Sequence, residues 1–211
     1  MIGSLFAQPW QALAAAPFAG AALALLIPHA RLSWVATLLA AGAIAAVVID
    51  LNVRGVAPQA ADGVSMFTAP LLAALAALSV LAGGGALREL SAPAVPFAMA
   101  LVLCAAGGWM FALAAADWIA FAIAAEAAWL AGAGFVALSD ANRGALNGAM
   151  RMVAQGGASA ALMLMGVGFV SRATASVEIA ALPNVSNISL CIVGLVLMVL
   201  SLGVKAGLAP L

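Results

Sequence analysis

Charge is what this sequence most lacks. Seven basic and seven acidic residues make up 7% of the chain and cancel, where a soluble domain devotes about a quarter of its residues to charge. No basic or acidic field is therefore present to attract nucleic acid or anionic lipid, and no nucleic-acid partner is expected. Cysteine is nearly as scarce: Cys104 and Cys191 stand alone in apolar runs without CxxC spacing, and small buried hydrophobes are the expectation. His29 is the single histidine, too few nitrogen ligands for a metal or haem site, so neither a metal nor a cofactor is expected. Gly83, Gly84 and Gly85 lack the lysine and hydroxyl of a phosphate-binding loop. Glu126 and Arg143 have no neighbouring histidine or paired aspartates, which argues against an intramembrane hydrolase and leaves no residue assigned as catalytic.

What the chain has instead is hydrophobic length. Two thirds of it, 67%, is hydrophobic, with a mean hydropathy of +1.24, which excludes a soluble enzyme and predicts an all-α, polytopic transmembrane bundle of about seven helices. Crossing a hydrocarbon core takes about 20 apolar residues, and charges punctuate runs of that size. The first spans 10–27 and stops at Pro28, His29 and Arg31; the second spans 32–49 and stops at Asp50. A loop with Arg54, Pro58 and Asp62 precedes a third over 63–87, closed by Arg88 and Glu89. The fourth lies within 90–116 with its helix starting near Pro96, Asp117 marks a tight turn, and the fifth covers 118–138. The sixth covers 144–170 with Arg151 about one turn in, followed by a polar loop over 171–187. A final apolar run reaches Lys205, so that the sequence stops inside a seventh span. Backbone groups in lipid must be satisfied within the segment, and these alanine- and leucine-rich runs are too long for barrel strands. Gly144 with Gly148, and Gly203 with Gly207, have the spacing that permits close helix packing.

The amino terminus lacks a basic n-region, so no cleaved signal peptide is expected. Arg31, Arg88 and Arg143 fall on one side of the membrane and Arg54 and Arg172 on the other; this imbalance favours an outward amino terminus.

Ionisable residues inside spans carry the functional expectation, because each costs about 2.5 to 3.5 kcal/mol on insertion scales. Glu126 stands eight uncharged residues after Asp117 and thirteen before Asp140, near mid-depth and beyond snorkelling reach of either surface. Burial disfavours an ionised carboxyl and a nearby cation favours it, so a buried glutamate beside a tunable cation can alternate between protonation states; a permanent structural ion pair is the alternative. Lys205 follows 26 uncharged residues and precedes Gly207 and Pro210. Proline obstructs the turn before it, and glycines at 203 and 207 permit irregular backbone, so a helix break is expected across Gly203, Gly207 and Pro210. Lys205 is either part of an ion pathway or a snorkelling lysine near a helix end. Arg151 is either an interfacial anchor or a charge facing the bundle interior; its guanidinium keeps its proton, so its role in proton transfer would be electrostatic. Asp50 and Asp117 are expected at helix ends.

Taken together, Arg88-Glu89-Leu90, Ala116-Asp117-Trp118-Ile119 leading to Glu126, Gly148-Ala149-Met150-Arg151, and the run from Gly203 through Lys205 to Pro210 cover a little over half of the chain. In order and spacing they resemble the antiporter-like, proton-translocating membrane subunits of respiratory complex I and of multisubunit cation/proton antiporters, subunit N above all. The resemblance implies a partial antiporter-like repeat over 94–211, with 1–93 contributing the first three helices. It further implies that Glu126 pairs with Lys205 on a discontinuous helix, and that Glu126, Lys205 and Arg151 form the proton-transfer set. Family members have roughly twice as many helices, arranged as two inverted repeats, and usually a lysine where Arg151 stands. The implied partners are the bilayer and other membrane subunits of a large complex, one of which could supply a second repeat. Redox chemistry would belong to those partners, and the implied location is a bacterial cytoplasmic membrane with the amino terminus on the periplasmic side. A cation/proton antiporter subunit and a shortened, non-pumping assembly subunit are the alternatives.

Overall fold

A computed structural model describes residues 9–27, 29–53, 90–138 and 143–207, together with positions 71, 74, 75, 78, 80 and 81. The described elements are α1 (Pro9–Leu26), α2 (Ala30–Val53), α3 (Ala94–Leu113), α4 (Trp118–Ala137), α5 (Arg143–Thr174), a short 3₁₀ helix (Ile179–Asn184) and α6 (Ile188–Lys205). No strand occurs among the described residues; the one β-type contact is an isolated bridge between Asp117 and Glu178. Five of these helices are long and apolar enough to cross a membrane, and Ala14–Leu26 is a shorter apolar helix. The protein is a multi-pass transmembrane helix bundle. Within the expected third span, 63–87, Leu71, Ala74, Leu75, Leu78, Val80 and Leu81 are helical. The remainder of that span, the 54–62 loop, the glycine triplet, Arg88, Glu89, Asp140 and Pro210 lie outside the described residues.

The distribution of side chains is that of a protein dissolved in lipid. Leu23, Leu39, Ile123, Leu164 and Val199 point outward and are each more than half exposed, whereas the interior is built largely from alanine, with Met99, Leu103, Met163 and Val170 filling the gaps. Since hydrocarbon is as apolar as leucine, no hydrophobic force drives such helices together, and close packing of small residues must do so. α1, α2 and α3 pack on one another, α3 packs on α4, and α4, α5 and α6 follow in sequence. Ala14, Ile44, Val48 and Met110 join the first three helices. Ala122, Met163, Val167, Val170, Cys191 and Met198 join the last three.

Polar residues mark the helix ends. Asp117 caps α4, accepting from the Ala120 N–H at 2.7 Å, and Asn187 caps α6, accepting from the Leu190 N–H at 3.1 Å. Each cap satisfies a donor that has no partner within its own helix. The Trp118 N–H donates to Val177 O and the Ile179 N–H to Ala116 O, both at 3.0 Å, which ties the two turns on that side together. Asp50 lies in the last turn of α2.

The sixth span departs from expectation in length. It continues through Thr174 instead of ending at 170, giving 32 residues or about 48 Å, well beyond a core about 30 Å thick. Helix-compatible Ser171, Arg172 and Ala173 carry it on until Ala175 turns to a positive φ of 56°. The expected polar loop over 171–187 is accordingly shorter and holds the 3₁₀ helix. Arg151, eight residues after Arg143, lies two turns into α5 rather than one.

The close helix approach is also not where the glycine spacing placed it. A Cβ on Gly144 would meet nothing within 4 Å, and one on Gly148 would make only ordinary contact with Val136. Gly207 lies past the end of α6 in the left-handed region, at φ +74°. Instead, α5 and α6 touch at Gly166 and Gly194: a Cβ on Gly166 would sit 2.6 Å from Gly194 O, and one on Gly194 would sit 2.7 Å from Gly166 O. Gly166→Ala is expected to destabilise the bundle by about 1 to 3 kcal/mol through overpacking, whereas Gly144→Ala leaves stability unchanged or slightly raised. Thermal unfolding of the two variants in one detergent checks the contrast.

Candidate functional site

Two structural accidents of α-helical spacing bring the site together. On α4, Glu126 and Trp129 are three residues apart and share a face; on α6, Ser201 and Lys205 are four apart and do likewise. α5 lies beside both helices and aligns them. Its antiparallel seam with α6 runs through Ser159 against Ser201 and, seven residues further, Gly166 against Gly194. Ser159 Oγ lies 2.9 Å from Ser201 O, and Ser201 Oγ lies 2.8 Å from Ser159 O. Each buried hydroxyl thus donates across the helix pair, one turn before Lys205, fixing the rotation of α6.

Lys205 and Glu126, 79 residues apart in sequence, form an ion pair. The lysine side chain is only 3% exposed. A snorkelling lysine would carry its ammonium outward, and this one does not. Helical side chains lean toward the amino-terminal end of their helix, so Lys205 reaches back into the bundle even though it is the last residue of α6. Its Nζ also lies 5.9 Å from the centroid of the Trp129 ring, within the range at which an aromatic face attracts a cation.

Trp129 is held in turn. Its indole N–H donates to Met152 O on α5 at 2.7 Å, and Gly156 makes room for the ring, since a Cβ there would fall 2.6 Å from Trp129 Cδ1. Glu126 and Lys205 are therefore set in a frame of Trp129, Ser159 and Ser201, which the sequence reading did not include. Their signal was available: they are polar side chains at three- and four-residue spacing from the two charges, or on the helix between them.

Glu126 lies eight residues into α4, about 12 Å from its start and about 16 Å from its end at 1.5 Å per residue, as its mid-depth assignment requires. Its side chain is 24% exposed. The open side faces a groove of about 310 Å³ between α4 and α5, lined by Ala122, Ile123, Ala127 and Leu130 on one wall and Ala160, Met163 and Leu164 on the other.

Arg151 is not brought to this pair. It is exposed on α5, nine residues before Ala160 of the groove wall. At 100° per residue that separation is half a turn out of phase, and at 1.5 Å per residue it is about 13 Å along the axis. It therefore projects from the opposite face of α5 and meets neither Glu126 nor Lys205. Of the residues expected at the helix break, Gly203 lies within the last turn of α6, which closes at Lys205 and Ala206 with the Gly207 N–H donating to Val204 O at 3.1 Å. Cys191 is buried and Cys104 half-buried, and both are free thiols.

No protein-family model matches this chain, and no curated protein matches it significantly.

Removing one partner of a buried pair leaves the other charge uncompensated. Lys205→Met is expected to cost about 3 to 5 kcal/mol of stability, and the double replacement Glu126→Gln with Lys205→Met to recover most of it. Thermal unfolding of the single and double variants in detergent measures both.

Proposed function

We propose that this chain is a proton-translocating membrane subunit of a complex I-like NADH–quinone oxidoreductase, with protons passing through Glu126 and Lys205. The observation that carries the proposal is the ion pair itself: a carboxylate at mid-depth in one span and an ammonium at the end of another, joined across 79 residues of sequence and enclosed by apolar helices. Such charges are expensive in a membrane, and charges retained there commonly belong to ion pathways.

The pair can exist in two forms of equal net charge. In one the ammonium faces the carboxylate; in the other the proton has moved along the hydrogen bond, leaving a neutral amine and a neutral carboxyl. Neither form strands an isolated charge in hydrocarbon, so a small external field suffices to move the balance. A unit charge about 4 Å from one partner and about 7 Å from the other contributes about 4 and about 2.4 kcal/mol of opposite sign at the effective dielectric of a partly buried site, a net bias of about 2 kcal/mol that favours one form over the other by roughly one order of magnitude. Movement of charge in neighbouring subunits would supply that field, letting Lys205 take up a proton from one side and release it toward the other. The chain's own contribution is positional: Trp129 steadies the cation, and the Ser159–Ser201 clamp holds α6 in register. Arg151, on the outer face of α5, would meet other membrane subunits of the complex rather than the pair.

The proposal places the protein in a bacterial cytoplasmic membrane with its amino terminus on the periplasmic side, and assigns redox chemistry to partner subunits. Lys205→Arg tests it directly, because arginine preserves the positive charge but keeps its proton. In membrane vesicles carrying the native complex, this variant should assemble normally while substrate-driven proton transfer, followed by a pH-gradient dye, falls at least about tenfold. Undiminished transfer in an assembled Lys205→Arg complex would reduce the pair to a structural clamp.

A further inference from the structure

The two halves of the ion pair differ in how they can be approached. Lys205 is closed in on every side, at 3% exposure, whereas Glu126 keeps 24% of its side chain open. That open side is the one polar feature of the α4–α5 groove; every other lining residue is apolar, among them Ala122, Ile123, Leu130, Ala160 and Leu164. The volume of about 310 Å³ lies at the lower end of the range for small-molecule sites, which are likewise mostly apolar with few placed polar groups. Ile123 and Leu164 stand at its mouth, 64% and 55% exposed, so the groove opens sideways toward acyl chains. A water-borne ion approaching Glu126 along α4 meets about 12 Å of apolar helix. An uncharged molecule dissolved in the bilayer meets none.

We propose that the α4–α5 groove is a lateral ligand site, entered from the hydrocarbon by uncharged apolar molecules that bind or react with a carboxyl, and that Glu126 is the group they reach. The site follows from the fold and the groove alone and does not depend on proton translocation. Apolar carbodiimides are the reagents it should select. The Glu126 carboxyl oxygen bonds to the central carbon of the N=C=N group while the proton shared with the Lys205 ammonium moves to one nitrogen, giving an O-acylisourea and a neutral Lys205 amine. The acyl group then has two fates: it migrates from that oxygen to the neighbouring nitrogen, giving a stable N-acylurea, or it is taken by the Lys205 amine in contact with it, giving a Glu126–Lys205 amide while the reagent leaves as its urea. The first product is heavier by the full mass of the reagent and the second is lighter by one water, so both are read by mass.

The test treats native membranes containing the full chain with dicyclohexylcarbodiimide, and separately with a water-soluble carbodiimide bearing a charged amine, followed by peptide mass spectrometry. The expected result is a carbodiimide product at Glu126, as the N-acylurea or as the Glu126–Lys205 cross-link, from the apolar reagent alone and lost in Glu126→Gln. Ile123→Trp and Leu164→Trp, which fill the mouth from opposite walls, should each bring the labelling down toward background; using both guards against one variant failing to assemble. Three results would overturn the proposal. One is Glu126 left unmodified in membranes but modified after detergent extraction, which would assign the groove to a covering partner helix. Another is equal modification by the charged reagent, which would mean aqueous access. The third is wild-type labelling in assembled tryptophan variants.

Discussion

A charge inside a bilayer has to be neutralised where it stands, and the architecture around α4, α5 and α6 follows from that requirement at Glu126. The carboxylate lies too deep to reach water, so the cation must come to it, and the nearest cation in space is 79 residues away in sequence. Bringing Lys205 to that depth requires α6 to run antiparallel to α5 in one rotational setting. The glycine contact at 166 and 194 and the serine clamp at 159 and 201 enforce that setting. The same small residues that replace hydrophobic driving force in lipid are thus the ones that align the charges.

The frame around the pair is asymmetric, and the asymmetry gives the two charges different characters. Trp129 and α5 shut the ammonium in, while the carboxylate sits in the wall of a groove that faces outward. On the proposed readings the two charges would answer to different things: the enclosed Lys205 to fields acting through the low dielectric of the bundle, and Glu126 to physical contact at the groove.

Much of the fold was legible in the residue order. Charge-free runs of about 20 residues located the spans that the described residues cover, Asp117 announced the turn that it caps, and the uncharged stretches on either side of Glu126 placed it in the middle of its helix. Packing was less legible. Four-residue glycine spacing pointed to Gly144 and Gly148, but spacing states only that glycines share a face, not that another helix meets that face. The extent of α5 was underestimated because a polar composition over 171–174 is compatible with a helix that has already left the hydrocarbon.

What the sequence determined by itself is the solvent and the problem: a hydropathy that demands lipid, helices as the only way to satisfy the backbone there, and a glutamate whose neighbours in the chain offer it no counter-charge. What only the tertiary structure decided is the solution. Lys205 could have pointed to either surface or to Glu126, and Arg151 could have faced the interior or the outside. Side-chain direction depends on how each helix is rotated against its neighbours, and that rotation is fixed by contacts between residues far apart in the chain, which hydrophobic periodicity along one helix does not encode.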